Sequence, residues 1–249
     1  MKAAIIGGTG VQQLPGFELQ QELVLAGEVH LFIGRLAGCP VLLLPRHSKG
    51  HRVPPHQIDH RRHVQILKEQ GVQAVLATAA VGSLRPDWTP GTLVVLSDFV
   101  DFTRAVHTLY DQEVVHTDFS EPFSPLLRAA LLETARELGI TPQSEGVYVC
   151  VPGPRYETPA EIRMFRMLGG DVIGMTVVPE AVLCREAGIH YAAVAVVTNL
   201  GTGLSDHSLS HAEVTEVMAT AVPVLARLFA GAFRRLLLTP TLSPEWRGL

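Results

Sequence analysis

Residues 146–199 read GVYVCVPGPRYETPAEIRMFRMLGGDVIGMTVVPEAVLCREAGIHYAAVAVVTN, and the changes of texture along them decide the fold. GVYVCV (146–151), DVIGMT (171–176) and YAAVAVVT (191–198) are short runs, apolar on both faces, as strands covered on two sides must be. Helical signals fill the gaps. Thr158 suits an N-cap, Pro159 the first helical position, and Glu161 stands three residues after the cap, so a helix is expected over 158–169. A second is expected over 178–187. Buried strands separated by amphipathic helices predict a central sheet with helices on its faces.

The same alternation continues outward. AAIIGG (3–8), PVLLLPR (40–46), AVLATAAVG (74–82) and GTLVVLSDFV (91–100) read as strands, and helical patterns occupy 59–70, 124–138 and 211–237. Ser210 and Glu213 offer a start for the last helix. No repeat, low-complexity tract or linker interrupts the chain, which is expected to form one α/β domain over 1–238. The tail TPTLSPEWRGL (239–249) carries two prolines and few anchors and is expected to be mobile.

Composition narrows the function classes. At 249 residues and 47% hydrophobic, with a mean hydropathy of +0.24, the chain has material for a large core. A formal net charge of −4 leaves no basic cluster able to neutralise a run of phosphates, which argues against a nucleic-acid partner. Cys39, Cys150 and Cys184 have neither metal spacing nor an even-numbered framework. A reducing, cytoplasmic setting is expected. MKAAIIGGTG lacks the features of a secretory leader, and no uninterrupted apolar run has the length of a membrane span.

Chemistry is concentrated at expected strand ends. GGTG (7–10) lacks the full dinucleotide fingerprint and the Walker lysine; it is either a tight turn or a loop whose N–H groups and Thr9 hydroxyl hold an oxyanion. Arg46 and His47 close a strand, where α/β proteins build sites, and a guanidinium fork matches two oxygens of a phosphate. His47, His51, His56, His60 and His63 crowd the following segment without a zinc signature, so hydrogen bonding to phosphate and loop backbone is expected and no metal. TAAVGSL (78–84) is either close packing or a place where a ligand approaches the backbone. Met175 fits a core as well as a site, and Thr176 beside it can add a hydroxyl to an oxyanion. No GxSxG elbow is present, and the cysteines have no basic neighbour. A glycosidase pair drawn from Glu157, Glu161 or Glu180 would leave the phosphate-binding residues unexplained.

Glu157, in the Gly-Pro-bounded loop, and Asn199, at the end of an apolar strand, form a complementary pair. A 6-oxopurine offers an N1–H donor, an O6 acceptor and an N7 that becomes protonated when its sugar bond breaks. Glu157 can accept from N1–H, while Asn199 can donate to O6 and accept from N7–H.

In order and spacing, IIGGTG, RHSKGH..PPHQIDHR, GSL, EPF, GPRYET, GMTVVPE, TN and SHAEV together resemble the purine nucleoside phosphorylase and methylthioadenosine phosphorylase family over almost the whole chain. The resemblance implies a distorted-barrel mixed sheet flanked by helices, and phosphorolysis of the N-glycosidic bond of a purine nucleoside to free base and sugar 1-phosphate. It implies a phosphate site of Thr9, Arg46, His47, the backbone near Ala79 and Ala80, and Thr176. It sets Tyr156 and Met175 against base and ribose, and Glu157 and Asn199 on the purine edge, with His47, Glu157 and Asn199 as the catalytic set. Adenine-type members resemble one another in carrying Asp and Ser where this chain has Asn199 and Glu157, so inosine or guanosine is the expected substrate class. His211 falls where 6-oxopurine enzymes carry a histidine meeting the ribose 5′-hydroxyl; a solvated helix-start histidine is the other reading, and methylthio nucleosides are the alternative substrates. His116 occupies a segment that reaches a neighbouring subunit's site in relatives, which implies a homotrimer or hexamer. Inorganic phosphate is a co-substrate, and no cofactor is implied. Ala79 stands where Asn or Thr is frequent, and Asp59-His60 replaces Asn-Tyr; both are departures.

Overall fold

The longest parallel contact in the molecule joins two strands that sequence alone places far apart. β5 (Ala74–Ser83) runs beside β10 (His190–Leu200) along its whole length. The other edge of β5 is shared. β1 (Ala3–Gly7) pairs with Ala74–Ala77, and β9 (Val172–Gly174) pairs antiparallel with Gly82 and Ser83. The computed structural model describes residues 1–9, 11, 14–25, 28–205 and 211–238, without the side chains of His211 and Leu238. The 239–249 tail therefore lies outside the described residues.

Beyond β1 the sheet continues through β4 (Cys39–Pro45), β3 (Val29–Leu36) and β2 (Phe17–Leu25); β1 and β4 are parallel, the others antiparallel. In the other direction β9 leads to β8 (Val147–Cys150) and β7 (Asp98–Asp101). β6 (Leu93–Val95) lies antiparallel on β10, and its edge meets the segment leading into β8 through Val95 N–H to Gln143 O (2.9 Å) and Ser97 N–H to Gly146 O (3.1 Å). These pairings close a ring through β5, β10, β6, β8 and β9. The mixed sheet thus curls into the distorted barrel expected from the sequence.

Strand parity sorts the core. Even positions of β5 such as Leu76 join a cluster under α2 (Pro125–Glu137) and α5 (His211–Leu238), while odd positions such as Val75 and Ala77 face α1 (His60–Glu69) and α4 (Val177–Glu186). α3 (Pro159–Met167) covers a third, smaller cluster with Ile162 and Phe165. It opens with the capping box read from the sequence, Thr158 and Glu161 exchanging both bonds. By length and composition α5 would suffice to cross a membrane, but its apolar face is spent on the sheet and α2.

Two strands, β2 and β3, were not expected. β2 reads FELQQELVL and is exposed along most of its length. An edge strand with Glu18, Gln20, Gln21 and Glu22 has no buried face to give it a period-two signal, and polar edges of this kind discourage edge-to-edge pairing.

Truncating Phe229, fully buried between α5 and the sheet, removes a large core side chain. Phe229→Ala is expected to cost about 3–5 kcal/mol, measured as a lower urea midpoint in equilibrium unfolding.

Candidate active site

β1 pairs with β5 only as far as Ala77 and β9 only at Gly82 and Ser83, so among the described residues no strand pairs with Thr78–Val81 on that edge of β5. Parallel strands β1, β4, β5 and β10 bring their carboxyl ends to this break, the place where open α/β sheets form crevices. A cavity of about 390 Å³ opens there. Its lining includes Gly8, Thr9, Arg46, His47, Ala80, Tyr156, Glu157, Met175, Thr176 and Asn199. Nine of these were expected from the sequence, and they come from six separate segments.

One end of the cavity gathers donors that can hold an anion. Arg46 follows β4 and is only 1% exposed. Its Nε and Nη2 donate to the two carboxylate oxygens of Glu180 (2.5 and 2.9 Å), and Nη1 donates to Thr78 O (2.7 Å). This differs from the sequence expectation of a free fork. Three of five N–H groups are committed, leaving one on each terminal nitrogen for a ligand. Burial opposes the charges of both partners, but their mutual attraction holds Arg46 above its ordinary pKa and Glu180 below its own. Gly8 rests on this guanidinium: a Cβ there would lie 2.6 Å from Arg46 Nη1. The Gly8 N–H goes to Thr78 Oγ1 (3.1 Å), so it is not available to the ligand.

Thr176 caps α4 yet makes no side-chain cap bond, which leaves its hydroxyl to the cavity. Its N–H donates to the buried Tyr148 hydroxyl (3.2 Å). The His47 Nδ1 lies 2.9 Å from Val53 O. A carbonyl only accepts, so Nδ1 carries the proton and Nε2 keeps a lone pair. Burial, then the Arg46 charge, lowers the His47 pKa to about 4, and the ring is neutral at physiological pH. The remaining histidines separate: His51 packs on His47 with centroids 4.3 Å apart, and His60 and His63 are buried behind Glu180.

The other end offers polar edges to a planar ligand. Glu157 is 8% exposed, and burial is the main cause of its raised pKa. Asn199 sits beside a register shift in β10, between Val197 and Asn199. A bulge lets consecutive residues face the same side, and both Thr198 and Asn199 line the cavity. The Thr198 hydroxyl is within 2.9 Å of Asn199 Oδ1 and 3.2 Å of Val81 O, and Asn199 Nδ2 donates to Leu200 O (2.9 Å). One N–H and one lone pair of the amide remain for a ligand. Thr198 and Glu180 were not assigned roles from sequence. Their signals were a threonine next to the key amide and a glutamate one helical turn after Thr176.

Ala79 departs from expectation. Odd residues of β5 turn their backbone groups to β10, as Val81 O does toward Thr198, and Ala79 packs its methyl into the core. Ala80, on the same edge as Thr78, faces the break. His116 is exposed in the 102–124 loop and does not line the cavity. The His211 side chain lies outside the described residues; Val214, one turn later, lines the cavity.

Residues 2–234 match the Phosphorylase superfamily. A 6-oxopurine nucleoside phosphorylase of Pyrococcus furiosus is 44% identical over 93% of this chain and 91% of its own. A protein of Methanopyrus kandleri named "Probable S-methyl-5'-thioinosine phosphorylase" is 45% identical over 91% and 90%. The solved methylthioadenosine phosphorylase of Schistosoma mansoni superposes with a TM-score of 0.91 at 30% identity, covering 96% of this chain and 93% of that one. The chain belongs to the phosphorylase superfamily, among its nucleoside phosphorylases. It is an enzyme.

His63, like His47, is held near pKa 4, first by burial and then by the neighbouring His60. Unfolded histidines titrate near 6.5, so between about pH 4 and 6.5 the unfolded chain binds more protons than the folded one. Stability therefore falls as pH is lowered through that window. The Tm is expected to drop steadily between pH 7 and pH 4.5, and His63→Leu to flatten the slope; a variant slope as steep as the parent's would contradict this.

Proposed function

We propose that the chain cleaves the N-glycosidic bond of 6-oxopurine nucleosides, inosine and guanosine, using inorganic phosphate, and yields the free base and (deoxy)ribose 1-phosphate. The observation that carries the reading is a single cavity with Arg46, His47, Thr9 and Thr176 at one end and Glu157 with Asn199 at the other. The C1′–N9 bond breaks with its electron pair passing to the purine. A phosphate oxygen bonds to C1′, and the proton released by hydrogenphosphate ends on the base. Charge builds on O6 and N7 as the bond stretches, so donors and acceptors fixed at that edge count most in the transition state. The negative phosphate stabilises the cationic sugar, and holding it in place removes much of the entropic barrier.

The base preference rests on polarity. The Asn199 amide is oriented by Thr198 and Leu200 so that one N–H and one lone pair are left, as O6 and N7–H require. Burial disfavours the Glu157 charge, and an N1–H donor restores it. An adenine ring has no N1–H, and a mispaired buried group costs about 1–3 kcal/mol. A methylthio nucleoside is the second reading, favoured by apolar Val214 in the lining and by the Methanopyrus kandleri relative. On this reading phosphate is a co-substrate, no cofactor is required, and the enzyme works in the cytoplasm as a homotrimer or hexamer. The 102–124 loop, with Val106 and Val114 each 90% exposed, would supply contact surface and carry His116 toward a neighbour.

Inosine, guanosine, adenosine and their methylthio forms are to be compared with and without phosphate. Turnover of inosine that persists unchanged without phosphate would identify a hydrolase and sink the proposal. Glu157→Gln is expected to lower kcat/KM for inosine about tenfold to a few hundredfold with unchanged circular dichroism. Asn199→Asp is expected to raise adenosine turnover relative to inosine; an unaltered ratio would remove Asn199 from the purine edge.

A further inference from the structure

Glu180 is buried completely, 0% exposed, at the base of α4. Nothing in the bond-breaking chemistry above uses it, yet three elements converge on it. Arg46, at the end of β4, gives it two hydrogen bonds. The Tyr191 hydroxyl, from the start of β10, donates to Oε2 (2.8 Å). The His60 Nδ1, at the start of α1, lies 3.7 Å from Oε1, within ion-pair range but too long for a hydrogen bond.

We propose that Glu180 is a positioning residue for the phosphate co-substrate: it fixes the Arg46 guanidinium so that its two uncommitted N–H groups face the anion. The assignment rests on the phosphorolysis reading and extends it to a side chain that meets no substrate. Geometry carries it. The guanidinium is planar, and two bonds to Glu180 with one to Thr78 O fix both its plane and its rotation within that plane. Thr176 begins the same helix four residues before Glu180, so α4 sets the distance between the anion's hydroxyl donor and the arginine. Tyr191 fixes the carboxylate in turn. Among the described residues lining that end of the cavity, Glu180 also cancels the one full positive charge, Arg46, since His47 is neutral. Phosphate is then held by directed donors more than by net charge.

Those two effects of Glu180 have opposite signs, which makes the test sharp. Glu180→Gln keeps the shape but turns an NH₂ group against an arginine N–H. If Glu180 merely drains charge, this variant binds phosphate more tightly. If it positions Arg46, binding of inorganic phosphate, measured calorimetrically, weakens about tenfold or more, while binding of hypoxanthine stays within about twofold of the parent. In turnover, the phosphate KM rises and the nucleoside KM does not. Tyr191→Phe keeps every charge and guards against a Gln variant that fails to fold; it is expected to weaken phosphate binding roughly threefold. Unchanged or tighter phosphate binding in folded Glu180→Gln, or in Tyr191→Phe should the Gln variant not fold, overturns the proposal, as does an equal loss of phosphate and hypoxanthine. Phosphate binding by the parent without phosphate-dependent inosine cleavage would refute the reaction while leaving Glu180 testable.

Discussion

β5 has ten residues and β1 has five, and because the two start in register the longer strand runs on without its neighbour. Peptide groups left bare in a protein interior must find partners. Thr78 O finds Arg46 Nη1, and Thr78 Oγ1 accepts from Gly8 N–H. The break in the sheet is therefore sealed at its base by an arginine, and the unsealed remainder is the cavity. A cation in that place is expensive to bury alone. Glu180 makes it tolerable, and Tyr191 supplies a third donor to the carboxylate.

This constraint reaches outward through the elements that carry these side chains. α4 must start where Thr176 can face the cavity and Glu180 can face Arg46, one helical turn later. The start is held by the Tyr148 hydroxyl, which accepts from Thr176 N–H; a Cβ on Gly174 would come within 2.3 Å of that oxygen. Gly8 is small for a related reason, the close passage of the guanidinium. Two glycines in the site thus serve side chains that pass near the backbone, rather than unusual backbone angles.

Much of this was legible in the sequence because it depends on local pattern. Apolar runs gave β1, β4, β5, β8, β9 and β10, and Thr158-Pro159 with Glu161 gave the start of α3. Glu157 and Asn199 could be paired from hydrogen-bond chemistry alone. What stayed hidden depends on register and on partners distant in the chain. β2 lacks a buried face. The placement of Ala79 away from the break follows from strand parity, which needs the pairing of β5 with β10. The commitment of Arg46 to Glu180 spans 134 residues, and no spacing rule announces it. The β10 bulge is equally silent, since TN reads as two ordinary residues of a strand.

That bulge sharpens the choice of amide at position 199. Regular alternation would send Thr198 and Asn199 to opposite faces; the shifted register brings both to the cavity, with the hydroxyl against Oδ1 and the Leu200 carbonyl against Nδ2. An amide satisfies both neighbours at once. A carboxylate would set an oxygen against the Leu200 carbonyl, and relief would require either a proton or a turn of the side chain. The backbone of β10 therefore favours an amide before any ligand arrives. On the proposed reading, discrimination between purines arises from two fixed hydrogen-bonding patterns, the amide and the buried Glu157, rather than from the size of the cavity, because a 6-oxo and a 6-amino group have nearly the same shape. Polar complementarity is the stronger device here: leaving a buried donor or acceptor unpaired separates ligands more widely than any small change of volume.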